Sequence, residues 1–144
     1  MKKSNSYSTS FLSPESPENI FKTLIDVTKW WSGVYEETIK GKSEKAGDEF
    51  TFKAGGGAHY TKQKLVELVP GKKIVWVVED SNLSFLDKTN EWDGTKIGFD
   101  ISKEGNLTRV TFSHDGLVPT MQGYEGCSDA WSIYMHNLRE KLNA

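Results

Sequence analysis

Apolar and polar residues alternate along most of this chain, and two stretches repeat instead at steps of three and four. Tyr7, Thr9 and Phe11 alternate with Ser8 and Ser10, the pattern of a half-exposed strand. The run Ser13-Pro14-Glu15-Ser16-Pro17 then supplies a breaker, an N-cap at Ser16 and a proline at the first helical position, where its missing N–H costs nothing. Ile20, Phe21, Leu24, Ile25 and Val27 follow at helical spacing as far as Trp30 and Trp31, and Ser32-Gly33 stops the helix. Strands are predicted over residues 34–39, 49–53, 60–69 and 73–79, punctuated by Gly47-Asp48, Gly55-Gly56-Gly57 and Pro70-Gly71. A polar stretch over 81–91 intervenes before strands at 95–101 and 107–114. These last two are antiparallel about a turn at Lys103-Glu104-Gly105-Asn106, with Ile97, Phe99 and Ile101 on one face and Val110, Phe112 and His114 on the other strand's matching face. The strongest period comes last. Tyr124, Cys127, Trp131, Tyr134, Met135, Leu138 and Leu142 form one helical stripe, opposite Glu125, Asp129, Ser132, Arg139 and Glu140.

The order strand, helix, about six strands, helix predicts an α+β fold, a meandering antiparallel sheet with the long C-terminal helix across one face. A chain of 144 residues suits one domain, residues 1–144, able to bury roughly 68–70% of its unfolded surface. A single cysteine, Cys127, excludes an internal disulfide and a multi-cysteine metal site, and favours a reducing compartment. The start, Met1-Lys2-Lys3-Ser4-Asn5-Ser6, is basic like a signal peptide but leads into no continuous apolar segment, so export is not expected. The longest apolar run, Ile74 to Val78, falls far short of the roughly 20 residues of a spanning helix. The expected setting is cytoplasmic, without membrane insertion.

Charge narrows the partners. A net charge of −2 argues against a nucleic-acid partner, which selects a basic face. Lys40, Lys42 and Lys45 cluster loosely, as do Lys62, Lys64, Lys72 and Lys73. Lys62 and Lys64 share strand parity near Glu67 and Asp80, which reads as a solvated sheet face that discourages edge pairing.

Catalytic chemistry is thinly represented. His114, beside Asp115 at a strand end, is the candidate acid or base. It has the parity of Val110 and Phe112, however, and reads more simply as an interior histidine. Ser113-His114-Asp115 cannot form a hydrolase triad, because neighbours on a strand point to alternate sides. His59, His114 and His136 fall on three elements without zinc-motif spacing, so no metal is expected. Gly55-Gly56-Gly57 lacks the helix and Lys-Ser/Thr pair of a phosphate loop and reads as a hairpin tip. Cys127 lies on the apolar stripe, where a thiol serves packing. No cofactor is implied.

The ordered set of segments carries a resemblance over residues 11–142. It comprises Pro17-Glu18-Asn19-Ile20-Phe21 with Trp30-Trp31, Gly47-Asp48-Glu49-Phe50-Thr51-Phe52, and Glu67 through Trp76. To these it adds Gly94-Thr95, Thr111 through Leu117, and Trp131 with Leu138. The chain resembles the START-like, Bet v 1-like helix-grip superfamily, and within it the family named for the C-terminal domain of the Hsp90 ATPase activator. The resemblance implies a curved antiparallel sheet gripping the long C-terminal helix, two short helices after the first strand, and an apolar cavity inside. It implies carriers of lipids and hormones, aromatases or cyclases, and co-chaperone domains as functions.

Fold alone does not choose among these. Binding of a small apolar or amphipathic molecule leads. A polyketide cyclase or dehydratase using His114, and a stress-response domain contacting a chaperone, are the alternatives. Five Trp, five Tyr and seven Phe supply rigid rings for a pocket. Trp131 is expected to anchor helix to sheet. Trp76, Phe99, Phe112, Tyr134 and Met135 are the expected wall, with His114 and Glu91 at the mouth and Asp93 and Tyr60 as lesser polar candidates.

Overall fold

Burial alternates residue by residue along nearly every strand, and the buried positions all fall on one face of a single antiparallel sheet. The computed structural model describes residues 6–143; the basic start at residues 1–5 lies outside them. In chain order the elements are β1 (Tyr7–Ser13), α1 (Pro17–Ile25), β2 (Thr38–Gly41), β3 (Glu49–Ala54), β4 (His59–Val69), β5 (Lys73–Leu83), β6 (Lys96–Glu104), β7 (Leu107–Asp115) and α2 (Tyr124–Leu142). The sheet order is β1-β7-β6-β5-β4-β3-β2, a meander in which β1 returns to pair with β7. With α2 across its inner face, this is the α+β helix-grip architecture expected from the sequence.

Local chemistry explains the element ends. Ser16 accepts from the Asn19 N–H at 3.2 Å and Pro17 opens α1, so the predicted cap is the observed one. The helix is shorter than its apolar period. Asp26 leaves helical geometry, and its carboxylate binds the Thr28 N–H at 3.2 Å and hydroxyl at 2.5 Å, starting a separate 3-10 turn at Val27–Lys29. The second short helix is therefore only this turn.

Two strand boundaries also differ from the sequence pattern. The strand expected over 34–39 forms only from Thr38, because residues before it make a loop held by Glu37. β5 continues through the polar residues after 79, pairing Asp80, Ser81, Asn82 and Leu83 with Lys62, Thr61, Tyr60 and His59. Ladder partners outweigh composition there. The Pro70-Gly71 turn is as predicted, with Gly71 at φ 74° and Lys72 N–H bonded to Val69 O at 2.9 Å.

The core is aromatic at its centre. The 3-10 turn delivers Trp30 over the middle of the sheet, edge-on to Phe99 at 5.0 Å and 6.0 Å from Trp76, with its N–H bound to Leu24 O. Trp131 of α2 lies 4.5 Å from Phe112, the expected anchor between helix and sheet.

Candidate functional site

Trp30 divides the space between helix and sheet. It packs against Trp76, Phe99 and Trp131, and towards β3 and β4 there is a cavity of about 230 Å³. Its floor is Phe52 and Ala54 from the inner face of β3, continuing into Gly55 of the glycine turn and His59 at the start of β4. Its roof is α2, which presents Gly126, Cys127, Ala130, Trp131 and Tyr134. These positions recur at one, three or four residues, so they form a single helical strip. Trp31 and Trp92 close the sides. Tyr35 and Phe85, 40% and 54% exposed, stand at the rim on loops before β2 and after β5.

The walls are rings held against rings. Trp31 stacks on Phe52 at 4.1 Å and lies 5.1 Å from Trp131, while Trp92 runs nearly parallel to Trp131 at 6.0 Å. His59 meets Phe52 and Trp92 edge to face and Phe85 in a stack. Such contacts fix ring orientations and keep the space open. Gly126 helps: a Cβ there would meet nothing within 4 Å.

Polar groups at the cavity are few. Burial lowers the His59 pKa to about 4, so its ring is neutral at pH 7, and Nε2 is buried without a hydrogen-bond partner. Burial pushes the Cys127 thiol up to about 11, with the Trp92 indole acting against the rise and Glu91 adding to it. Although near enough to the thiol for that effect, Trp92 Nε1 has no partner in hydrogen-bond geometry. A thiol so held is no nucleophile at neutral pH. Tyr134 Oη donates to Glu37 Oε2 at 2.5 Å, and burial followed by this bond raises its pKa. Burial alone would raise the Glu37 carboxyl, but bonds from Tyr134 and the backbone outweigh it and hold it below the usual value.

Of the expected wall residues, Tyr134 lines the cavity. Trp76 and Phe99 do not, because Trp30 covers them; the Trp76 N–H is bound to Ser43 Oγ at 2.8 Å. Phe112 lies beneath Trp131, and Met135 is buried in the core off the lining strip. Glu91 is a cap rather than a mouth residue. Gly123 has no capping side chain, and Glu91 reaches from the loop between β5 and β6 to accept from the N–H groups of Gln122 and Gly123 at 3.1 and 3.2 Å. Asp93 accepts from Ser81, and Tyr60 faces Lys53 on the outer side of the sheet.

His114 is sealed, with no exposed surface. The Trp131 N–H can only donate, so His114 Nδ1 accepts it at 3.0 Å, and the proton of the neutral ring sits on Nε2. Nε2–H then donates to Thr95 Oγ1 at 2.8 Å, whose hydroxyl donates to Trp92 O at 2.6 Å. Burial, then the nearby His59, lowers the His114 pKa to about 3. A ring with both nitrogens engaged and no path to the cavity is not an acid or base for a bound molecule. The interior-histidine reading holds, with side chains rather than backbone as partners.

Most of the lining was missed from sequence. Trp31 ended the predicted helix, His59 followed the glycine run, and Phe52 alternated correctly, but nothing periodic joins them to Phe85, Trp92 or Gly126. The helical glycine was the available signal, since Gly inside a helix costs about 1 kcal/mol relative to Ala. Among the described residues no cluster of His, Cys, Asp or Glu could hold a metal ion, and no helix is long and apolar enough to cross a membrane.

The sheet, the gripped helix and the ring-lined space beneath it define a helix-grip domain with an apolar cavity open at a rim of exposed residues. Over residues 15–143 the sequence matches the family described as Activator of Hsp90 ATPase homolog 1-like protein, and the chain belongs to that family. No curated protein matches it in sequence. Among solved structures it is similar to the Aha1 dimer from Colwellia psychrerythraea, at TM-score 0.74 and 24% identity over 96% of both chains. It is also similar to CV1439 from Chromobacterium violaceum, at TM-score 0.74 and 16% identity over 97% of this chain and 98% of that one. DynU16, from the dynemicin biosynthetic locus, aligns with 97% of this chain and 48% of its own at TM-score 0.65 and 9% identity. At these identities the likeness is one of fold.

Proposed function

We propose that this domain binds a small apolar or amphipathic molecule in the cavity between α2 and the β3–β4 part of the sheet. One observation carries the reading. About 230 Å³ of apolar space is lined by stacked rings between α2 and the sheet, with two exposed aromatic residues at its rim. Protein interiors seldom leave voids larger than a water molecule, because unfilled apolar volume lowers stability. A hollow of this size with rigid aromatic walls is the form a binding site takes. The test is to incubate the full chain with an apolar cell extract, re-isolate it and identify what co-purifies. A molecule retained by the wild type and lost from Ala130→Leu supports binding. Absence of any retained molecule, together with unmoved cavity resonances across a broad panel of small molecules, removes the reading.

Family membership favours a second reading, contact with the chaperone in the family's description. Co-sedimentation with purified Hsp90 at physiological salt tests it, and failure to associate sinks it. Catalysis through His114 is not proposed, since that ring is sealed from the cavity.

A further inference from the structure

Taking the cavity as a binding site, we infer that its guest is a neutral planar aromatic molecule of one or two fused rings. Size sets the first limit. About 230 Å³ exceeds the roughly 150 Å³ in which an apolar protein cavity accepts benzene, and falls below the roughly 300–1,000 Å³ typical of drug-sized sites. Long acyl chains and steroid-sized bodies are too large.

Shape sets the second. Trp31 and Phe52 stack 18° from parallel, and Trp92 and Trp131 stack 13° from parallel, so each pair is a rigid pile of two ring plates that offers the cavity flat faces and edges. A planar guest meets such plates by offset stacking or edge-to-face contact without losing internal freedom. A flexible chain would surrender rotamer entropy to fit between the same rigid surfaces.

Charge sets the third. The lining contains no Lys, Arg, Asp or Glu, and His59 is neutral at pH 7 because burial holds its pKa near 4. A charged guest would lose its water without gaining a counter-ion. The two carboxylates beside the lining are already occupied, Glu37 by the Tyr134 hydroxyl and the N–H groups of Val34 and Tyr35, and Glu91 by the N–H groups of Gln122 and Gly123. Because Tyr134 spends its proton on Glu37, its oxygen can act towards a guest only as an acceptor. A hydroxyl or ring N–H on the guest suits it.

The experiment is a titration of the isotopically labelled full chain, followed by two-dimensional NMR, with indole, 2-naphthol, decanoate and tetramethylammonium. Indole and 2-naphthol are expected to shift the amide signals of Gly55, Gly126 and Ala130 and the Trp92 indole signal saturably. Ala130→Leu should weaken both by at least tenfold, and Gly126→Leu serves the same purpose if that variant does not fold. Decanoate or tetramethylammonium saturating these signals in place of the aromatic compounds would overturn the inference while leaving a binding site in place. No response to any of the four, alongside a different molecule retained from a cell extract, overturns the aromatic class. No response and no retained molecule overturns both.

Discussion

The Tyr134 hydroxyl donates to Glu37 Oε2 at 2.5 Å, tying the long helix to the loop that carries the rim residue Tyr35. Glu37 also accepts from the N–H groups of Val34 and Tyr35, and Gly55 N–H holds Tyr35 O at 3.1 Å. The loop includes Glu36 at φ 56°, a left-handed position that a glutamate occupies only under constraint. Glu37 is the side chain that supplies much of that constraint.

Glu37→Gln retains one acceptor and loses the charge, so it is expected to cost about 1 kcal/mol and to loosen this loop selectively. Hydrogen exchange is the measurement: the Val34 and Tyr35 amides should exchange faster while β6 and β7 stay protected. Equal exchange in wild type and variant would show that Glu37 does not hold the loop.

Removing His114 should be severe. His114→Ala leaves the Trp131 N–H buried without its acceptor and opens space beneath a packed indole, an expected loss of about 3 kcal/mol or more. Urea unfolding measures it, and a change within about 0.5 kcal/mol would contradict the sealed hydrogen-bonded core described above.

The two depressed histidines make stability depend on pH in a definite direction. Unfolded, each takes up a proton near pH 6.5; folded, His59 does so at about 4 and His114 at about 3. Between those values the unfolded chain binds more protons, so acid favours unfolding. Their contribution is fully present above pH 6.5 and is lost as pH falls towards the folded values. Each histidine adds a slope of up to about 1.4 kcal/mol per pH unit in this window. Urea midpoints at pH 7, 6, 5 and 4.5 should fall accordingly, and His114→Gln should flatten the slope. An unchanged slope would place the proton uptake elsewhere.

Gly126 separates stability from binding. Gly126→Ala adds a methyl group where nothing lies within 4 Å and improves helix propensity, so thermal unfolding should reveal a gain of roughly 0.5–1 kcal/mol. The same methyl narrows the cavity roof, and aromatic guests should bind more weakly. A variant that is both less stable and unimpaired in binding would show that the glycine is not there to keep the roof open.

The fold was legible wherever a long stretch kept one period. β6, β7 and α2 have the predicted faces because Ile97, Phe99, Val110, Phe112, Trp131 and Leu138 obey strict parity or helical spacing. The errors arise where a tertiary partner decides. Asp26 caps its own turn and splits a helix that its apolar spacing alone would continue. Polar residues 80–82 stay in β5 because β4 supplies the ladder. The site was less legible for the same reason. Trp76 and Phe99 have the right parity for a cavity wall, but Trp30, arriving from a different element, covers them. Glu91 was visible as an acidic residue near the long helix; its role as a cap followed from where the loop returned, which no local pattern encodes.

The Trp131–His114 bond also acts as a positional key. An α-helix slid along the sheet by one turn moves about 5.4 Å and brings Cys127 or Met135 to the place of Trp131. Neither side chain carries an N–H for His114 Nδ1, whose partner Nε2 is already committed to Thr95. Only one axial setting of the helix satisfies the buried imidazole. Since Cys127, Ala130 and Tyr134 are drawn from the turns on either side of that indole, the same setting gauges the length and depth of the hollow beneath them.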